Sequence, residues 1–262
     1  MKFFTPSSIF FTLKNGFPEN ISNKLVAWLN TLSSIISVNT KESETFVADE
    51  MIVFSRSLDF LREEKFVDAV NTSIIEEDNS YKKAQSAIIW RRHVLTWAGE
   101  HCKNLEGDFC DFGCYDGIGS KIVNDYCSLE DFNKEFYLYD VFDLPPNSQP
   151  FPKHSASLHQ EVVYRFQGNK NVKIIKGILP ESLKDNCPKK IAFVHIDLNN
   201  TLAEIGVLKF IFDRIVSGGI IILDDFGWSA YSEQQQKEKD FFQKRNLKVM
   251  ELPTGQGIVL KR

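Results

Sequence analysis

Cysteine is scarce and poorly spaced for metal or redox chemistry. The five residues, Cys102, Cys110, Cys114, Cys127 and Cys187, are odd in number and include no C-x-x-C pair. Cys110 and Cys114 lie close, but no second Cys/His pair completes a zinc site. This pattern excludes a disulfide-stapled secreted scaffold and reads as reduced thiols in a cytoplasmic protein. An excess of one charge is also missing, because 31 Lys and Arg stand against 35 Asp and Glu, for a net charge of −4. No global basic field draws the chain to nucleic acid or to an anionic membrane. Long apolar runs are absent too. The stretch 25–38 is interrupted by Asn30, Thr31, Ser33 and Ser34, and is too short and polar to span a bilayer. Thr5-Pro-Ser-Ser8 splits the Phe-rich start where a signal peptide needs a continuous apolar core. There is no clear internal repeat and no low-complexity tract.

What is present is a globular balance, 43% hydrophobic and 25% charged over 262 residues. That length suits one large domain or one domain with an appendage, and a core that needs no staples. The surplus is aromatic: 22 residues are Phe, several of them paired, as in Phe3-Phe4, Phe10-Phe11 and Phe241-Phe242. Apolar positions three and four apart predict helices over 21–36, 47–76 and 81–104. The polar break at Glu76-Glu77-Asp78-Asn79-Ser80 divides a helical N-terminal extension, 1–80, from a main domain, 81–262.

From Gly107 strands and helices alternate. Strands are expected at 108–114, 135–140, 172–176, 191–196 and 219–223, with helices at 121–127, 158–167, 203–215 and 231–245. Near-continuous apolar strands in this alternation mean a parallel sheet covered on both faces. The last two strands, 247–252 and 257–260, are joined by too few residues for a parallel crossover and should pair as an antiparallel hairpin. The expected fold is a doubly wound, mostly parallel α/β sheet.

Asp111-Phe-Gly113-Cys-Tyr-Asp-Gly117-Ile-Gly119 falls at the first strand-to-helix junction, where open α/β sheets bind ligands. Asp140 follows about 20 positions later at the tip of the next strand, where a carboxylate can accept ribose hydroxyls. The pair reads as a nucleoside cofactor site. The glycine order is not the G-x-G-x-x-G of dinucleotide folds. Three more carboxylates, Asp197, Asp224 and Asp225, end the strands 191–196 and 219–223 on the same rim. Clustered there, they suit a hard cation such as Mg²⁺; the plain alternative is N-capping of the helices that follow. His195 shares a strand face with Asp197 and reads as a core histidine. His154 and His159, in or beside the Pro-rich loop 143–156, read as solvated. Gln256 reads as a cap on the terminal hairpin.

The glycine motif, with Asp111 ahead of it and Asp140 beyond, resembles the first motif of class I S-adenosylmethionine-dependent methyltransferases. From 107 onward the chain resembles the macrocin O-methyltransferase family. The matching stretches are Gly107-Asp-Phe-Cys-Asp-Phe-Gly-Cys114, Phe136-Tyr-Leu-Tyr-Asp-Val-Phe-Asp143 and Lys176-Gly-Ile-Leu-Pro-Glu-Ser-Leu183. They continue with His195-Ile-Asp-Leu-Asn199, Gly218-Gly-Ile-Ile-Ile-Leu-Asp-Asp-Phe-Gly227 and Pro253-Thr-Gly-Gln-Gly257. The helix around Trp90-Arg-Arg-His93 resembles the segment that precedes the first strand in such enzymes.

The resemblance implies a seven-stranded Rossmann-like methyltransferase sheet. It implies S-adenosyl-L-methionine surrounded by Asp111, Gly113, Cys114, Tyr115, Asp116, Gly117, Gly119, Asp140, Gly177 and Ile178. It further implies Mg²⁺ on Asp197, Asp224 and Asp225, with Asp197 also catalytic, and methylation of a hydroxyl on a sugar or secondary-metabolite-like acceptor. The chain departs from the family where Asn199 and Thr201 stand in place of a second acidic residue and a Tyr. No basic residue follows the Asp224-Asp225 pair, where Trp228, Ser229 and Tyr231 stand. Two other readings remain at this stage: a nicotinamide-dependent oxidoreductase, which the glycine spacing disfavours, and a non-catalytic binding module. The N-terminal Phe residues leave three roles open: docking on the body, a homo-oligomer contact, or a roof over the acceptor pocket.

Overall fold

The computed structural model describes residues 45–54, 56–74, 88–142 and 157–262. The expected helix at 21–36, the boundary at residue 80, the Pro-rich loop with His154, and Phe3, Phe4, Phe10 and Phe11 lie outside the described residues.

The described chain opens on a hairpin, β1 (Thr45–Ala48) and β2 (Met51–Phe54), which pair antiparallel across Asp49 and Glu50. A helix was expected over this stretch. The β-branched and aromatic residues of Thr45-Phe-Val-Ala and Met51-Ile-Val-Phe favour a pleated strand instead. The helical pattern holds only further on, in α1 (Glu64–Ser73). Helix α2 (Ile89–Cys102) then leads into the sheet.

The sheet is built from β3 (Asp108–Phe112), β4 (Phe136–Asp140), β5 (Val172–Lys176), β6 (Ile191–Ile196), β7 (Ile215–Leu223), β8 (Met250–Glu251) and β9 (Gly257–Leu260), in the order β5-β4-β3-β6-β7-β9-β8. β3 to β7 are parallel; β9 runs antiparallel to β7 and to β8. The crossovers carry α3 (Ile118–Cys127), α4 (Leu158–Arg165), the single turn α5 (Leu183–Asn186), α6 (Thr201–Ile211) and α7 (Ser232–Gln243). The expected doubly wound topology and terminal hairpin are therefore present.

Strand alternation sorts the core into two layers. Phe109, Phe136, Phe193, Ile220 and Ile222 pack with Leu95 and Ala98 of α2 and Val123 of α3. Cys110, Phe112, Tyr139, Val194, Ile196 and Ile221 pack on the other face with Val207, Leu208 and Ile211 of α6 and Phe241 and Phe242 of α7. Much of the Phe surplus is thus core. Phe109 stacks on Phe193 with ring centres 5.0 Å apart, and Phe112 on Tyr139 at 4.9 Å. A third apolar cluster joins the N-terminal segment to the sheet domain: Phe46, Leu58, Phe66 and Val70 pack on Ile89, Ile118 and Ile122. The five cysteines are unpaired thiols, all buried except the half-buried Cys187. Among the described residues no helix is long and apolar enough to cross a membrane.

Two buried glutamates meet between α6 and α7. Glu204 takes the Leu198 N–H at 3.1 Å, and Glu238 lies beside it. Burial and the Glu238 carboxyl hold Glu204 well above the usual carboxylate range. Burial and the more distant Asp225 lift Glu238 to about 7, against an ordinary 4.5. A carboxyl raised on folding stabilises the protein below its unfolded pKa and loses that contribution as pH rises through the folded one. Stability should therefore fall between about pH 4.5 and 7. The neutral isostere Glu238→Gln should remove the Glu238 share of that slope and leave the share that burial of Glu204 causes. It is expected to leave melting near pH 4 unchanged and to raise stability near pH 8 by up to about 3 kcal/mol. Parallel slopes for both proteins in thermal melts across that window would contradict this.

Candidate active site

The carboxyl ends of β3, β4, β6 and β7 open on one cavity of about 780 Å³. Gly113 leaves β3 with φ +95°, and any Cβ there would run into the Asp197 backbone carbonyl leaving β6. Only glycine lets these two strand exits lie so close. The loop then turns back: the Gly117 N–H reaches the Cys114 carbonyl at 2.8 Å, and the Asp116 carboxylate accepts the Ile118 N–H at 3.0 Å at the start of α3. Asp140, at the end of β4, accepts the Tyr115 N–H at 2.9 Å and the Phe142 N–H at 2.7 Å. The carboxylate expected to meet a ribose also holds the glycine loop in place.

Of the residues that the resemblance places around the cofactor, Asp111, Gly113, Cys114, Tyr115, Asp116, Gly119, Asp140, Gly177 and Ile178 line this cavity. Gly117 does not. Its Cα faces Phe166 and Val162, so its role is to let α4 pack against the loop. Asp111 is held from both sides, by Ser120 Oγ and by His195 Nδ1 at 2.8 Å. Gly119 sits under Arg92, whose Nη1 lies 2.5 Å from where a Cβ would be.

Asp197 and Asp224 line the cavity at the rim, whereas Asp225 does not line it. Their backbones extend the sheet ladder: the Asp197 N–H bonds Phe112 O at 2.8 Å, and the Asp224 N–H bonds Ile196 O at 3.0 Å. None of the three caps a helix. The N-cap of α6 is Asn200, which accepts the Ala203 N–H at 3.0 Å, and the N-cap of α7 is Tyr231. The capping alternative is thereby removed.

Asp224 is the hub. Its Oδ1 accepts from Gln256 Nε2 at 2.8 Å and lies 3.6 Å from His195 Nε2, while its Oδ2 meets Arg91 Nη1 at 2.5 Å. Arg91 also lies 3.6 Å from Asp225 Oδ1, and its guanidinium lies 5.2 Å from the Trp228 ring centre. Asp197 Oδ1 accepts from Asn199 Nδ2 at 3.0 Å. Burial alone would make Asp224 harder to ionise, but His195 and Arg91 outweigh it and hold the carboxylate below its ordinary range. Burial alone would likewise lower the His195 pKa, but Asp111 and Asp224 lift it to about 10. Asp197 is raised well above the ordinary value by burial and by Asp224 and Asp225; Asp225 is pushed up to about 6 by burial and by Asp224. One carboxylate stays charged beside cations while its neighbours become stronger bases, an arrangement common at catalytic sites.

Sequence reasoning under-read two residues. Gln256, fully buried, is more than a hairpin cap, because its amide binds Asp224 across β9 and β7. His195 is buried as expected but only half satisfied: Nδ1 bonds the glycine-loop Asp111 at 2.8 Å, while Nε2 makes no hydrogen bond and lies 3.6 Å from the rim Asp224. Arg91 belongs to the Trp90-Arg-Arg-His93 run singled out above, but its partners are 133 and 134 positions away in sequence, and no local pattern reveals them. His159 lies half-buried with its ring 5.0 Å from that of Phe142, rather than fully solvated.

A family model described as macrocin-O-methyltransferase (TylF) matches residues 98–252, more than half of the chain. No curated protein matches. Among solved structures, the O-methyltransferase NovP superposes with a TM-score of 0.56 at 13% identity, over 66% of this chain and 80% of NovP. CalS11, a calicheamicin methyltransferase, gives 0.50 at 12% identity, over 84% of this chain and 99% of that one. The SAH-bound methyltransferase PaMTH1 of Podospora anserina gives 0.50 at 14% identity over the full length of both. At these identities the likeness to solved structures is one of fold.

Proposed function

The chain belongs to the macrocin-O-methyltransferase family of S-adenosylmethionine-dependent methyltransferases, and from this we propose that it methylates a hydroxyl oxygen of a small sugar or secondary-metabolite-like acceptor. The observation that carries the proposal is the single cavity that the glycine loop, Asp140 and the acidic rim line together. Its size suits a cofactor with a small molecule beside it.

The residues present fit the cofactor. Gly113 and Gly119 line the cavity in the loop after β3, and the Asp140 carboxylate stands at the strand tip suited to ribose hydroxyls. Gly177 and Ile178 supply the facing wall. S-adenosylmethionine, when bound, supplies a methyl group on a sulfonium sulfur. Asp197 lines the cavity with one oxygen fixed by Asn199, and burial among other carboxylates makes it a stronger base than a free Asp. In this proposal Asp197 takes the acceptor's hydroxyl proton as the oxygen forms the new O–CH₃ bond. The demethylated cofactor is the second product. Alignment of the two reactants in the cavity supplies most of the acceleration.

A Mg²⁺ on Asp197, Asp224 and Asp225 does not fit the donor set as it is folded. Asp224 commits both oxygens to protein partners, Asp225 shares Arg91 with it, and Asp197 is bonded to Asn199. Among the described residues, no group of three or more His, Cys, Asp or Glu side chains converges to hold a metal.

Calorimetry with S-adenosylhomocysteine tests the cofactor reading: one site per chain is expected, with an affinity on the order of micromolar. Silence up to roughly millimolar concentration would sink it. Release of S-adenosylhomocysteine on a panel of sugars, phenols and polyketides then tests the acceptor class.

A further inference from the structure

We infer that the Arg91 guanidinium occupies the cation position between Asp224 and Asp225, and that this chain holds its acidic rim without a divalent metal. The inference rests on the methyltransferase reading above and concerns the same site. A carboxylate pair packed at the end of a buried strand needs a nearby positive charge, because like charges in a poorly solvated site cannot all remain ionised. Arg91 meets that need. It bonds Asp224 Oδ2 at 2.5 Å and lies 3.6 Å from Asp225 Oδ1, with its side chain only 12% exposed. The other Asp224 oxygen is taken by Gln256. A divalent ion between these carboxylates would have to displace a planar cation that already fills the place and packs over the Trp228 ring.

The placement of Arg91 is built into the fold. The buried Asp49, in the turn between β1 and β2, accepts the Trp90 N–H at 2.8 Å and the Arg91 N–H at 3.2 Å. A carboxylate there satisfies the unpaired amides of the first turn of α2 and complements its dipole. The hairpin therefore fixes the start of α2, and α2 projects Arg91 onto the rim. Asp49 acts as a positioning residue through Arg91. This gives the N-terminal hairpin, which lies outside the family match, a role at the site.

Manganese is the probe. Wild-type protein saturated with S-adenosylhomocysteine is titrated with Mn²⁺, and the free-ion signal is followed by electron paramagnetic resonance. No loss of signal beyond that of a non-binding control protein is expected. Arg91→Gln opens the carboxylate pair and should gain at least about tenfold in Mn²⁺ affinity, a change that Asp224→Asn in the same background should abolish. Arg91→Lys keeps a positive charge and should stay as blind to Mn²⁺ as the wild type. Tight Mn²⁺ binding by the wild type would overturn the inference. So would an Arg91→Gln protein that folds, by circular dichroism, and still ignores Mn²⁺. Should Arg91→Gln not fold, the wild-type titration decides alone. Calorimetry on the same wild-type sample keeps the two ideas separate. Failure to bind S-adenosylhomocysteine overturns the methyltransferase reading, whereas binding of both S-adenosylhomocysteine and Mn²⁺ overturns only the assignment of Arg91.

Discussion

Gly113→Ala is expected to abolish S-adenosylhomocysteine binding, with a loss of affinity of at least about 100-fold by calorimetry, equivalent to roughly 3 kcal/mol. Two effects act at this position. The residue sits at φ +95°, a left-handed conformation that costs an alanine about 1–2 kcal/mol. The new methyl group would also collide with backbone, the Asp197 carbonyl, and backbone at a strand end cannot rotate away as a flexible side chain can. Relief requires the exits of β3 and β6 to separate, which moves both the glycine loop and the rim that face each other across the cavity. Gly168→Ala isolates the first effect. That glycine has φ +100° with nothing within 4 Å of its would-be Cβ, so the variant should lose a little stability and bind S-adenosylhomocysteine normally. Equal binding by wild type and Gly113→Ala would show that the close approach of the β3 and β6 exits does not govern cofactor binding. Circular dichroism and melting curves on the same samples separate that result from simple unfolding.

Asp197→Asn should lower methyl transfer by about 10²–10⁴-fold, the usual contribution of a positioned general base. Binding of S-adenosylhomocysteine should change little, because the substitution keeps shape and leaves the glycine loop and Asp140 untouched. The reasoning is local. Asp197 faces the cavity, and its pKa is raised by burial and by Asp224 and Asp225, so it holds a proton more firmly than a solvated carboxylate. An asparagine can hydrogen-bond the acceptor but cannot take its proton. On an acceptor found by the panel screen, kcat should fall while KM stays within a few-fold. A kcat within about threefold of wild type would move the role of base elsewhere.

Much of the fold was legible because parallel strands buried on both faces leave a strong imprint. Ile191-Ala-Phe-Val-His-Ile196 and Ile220-Ile-Ile-Leu223 are near-continuous apolar runs, and each forms a buried strand. The glycine loop was legible because backbone approach to another backbone demands glycine, and Gly113 meets that demand. Over the N-terminal hairpin the sequence pattern predicts a helix, and the structure has two strands. Its apolar residues fit both periods, and what decides for strands is the pairing of Thr45-Phe-Val-Ala with Met51-Ile-Val-Phe across a tight turn.

The site divides along the same line. Residue type and strand-end position alone brought Asp111, Asp140, Asp197, Asp224 and Asp225 to one rim, since parallel strands present all their carboxyl ends on one side. What each carboxylate does there was decided only by residues distant in sequence. Arg91 from α2 and Gln256 from the terminal hairpin converge on Asp224, and His195 bridges Asp111 to it. The sequence determined which groups reach the rim, because strand order and alternation follow from short-range patterns. The tertiary structure decided which cation meets them, because charge pairing depends on ångström distances between elements that no local pattern records.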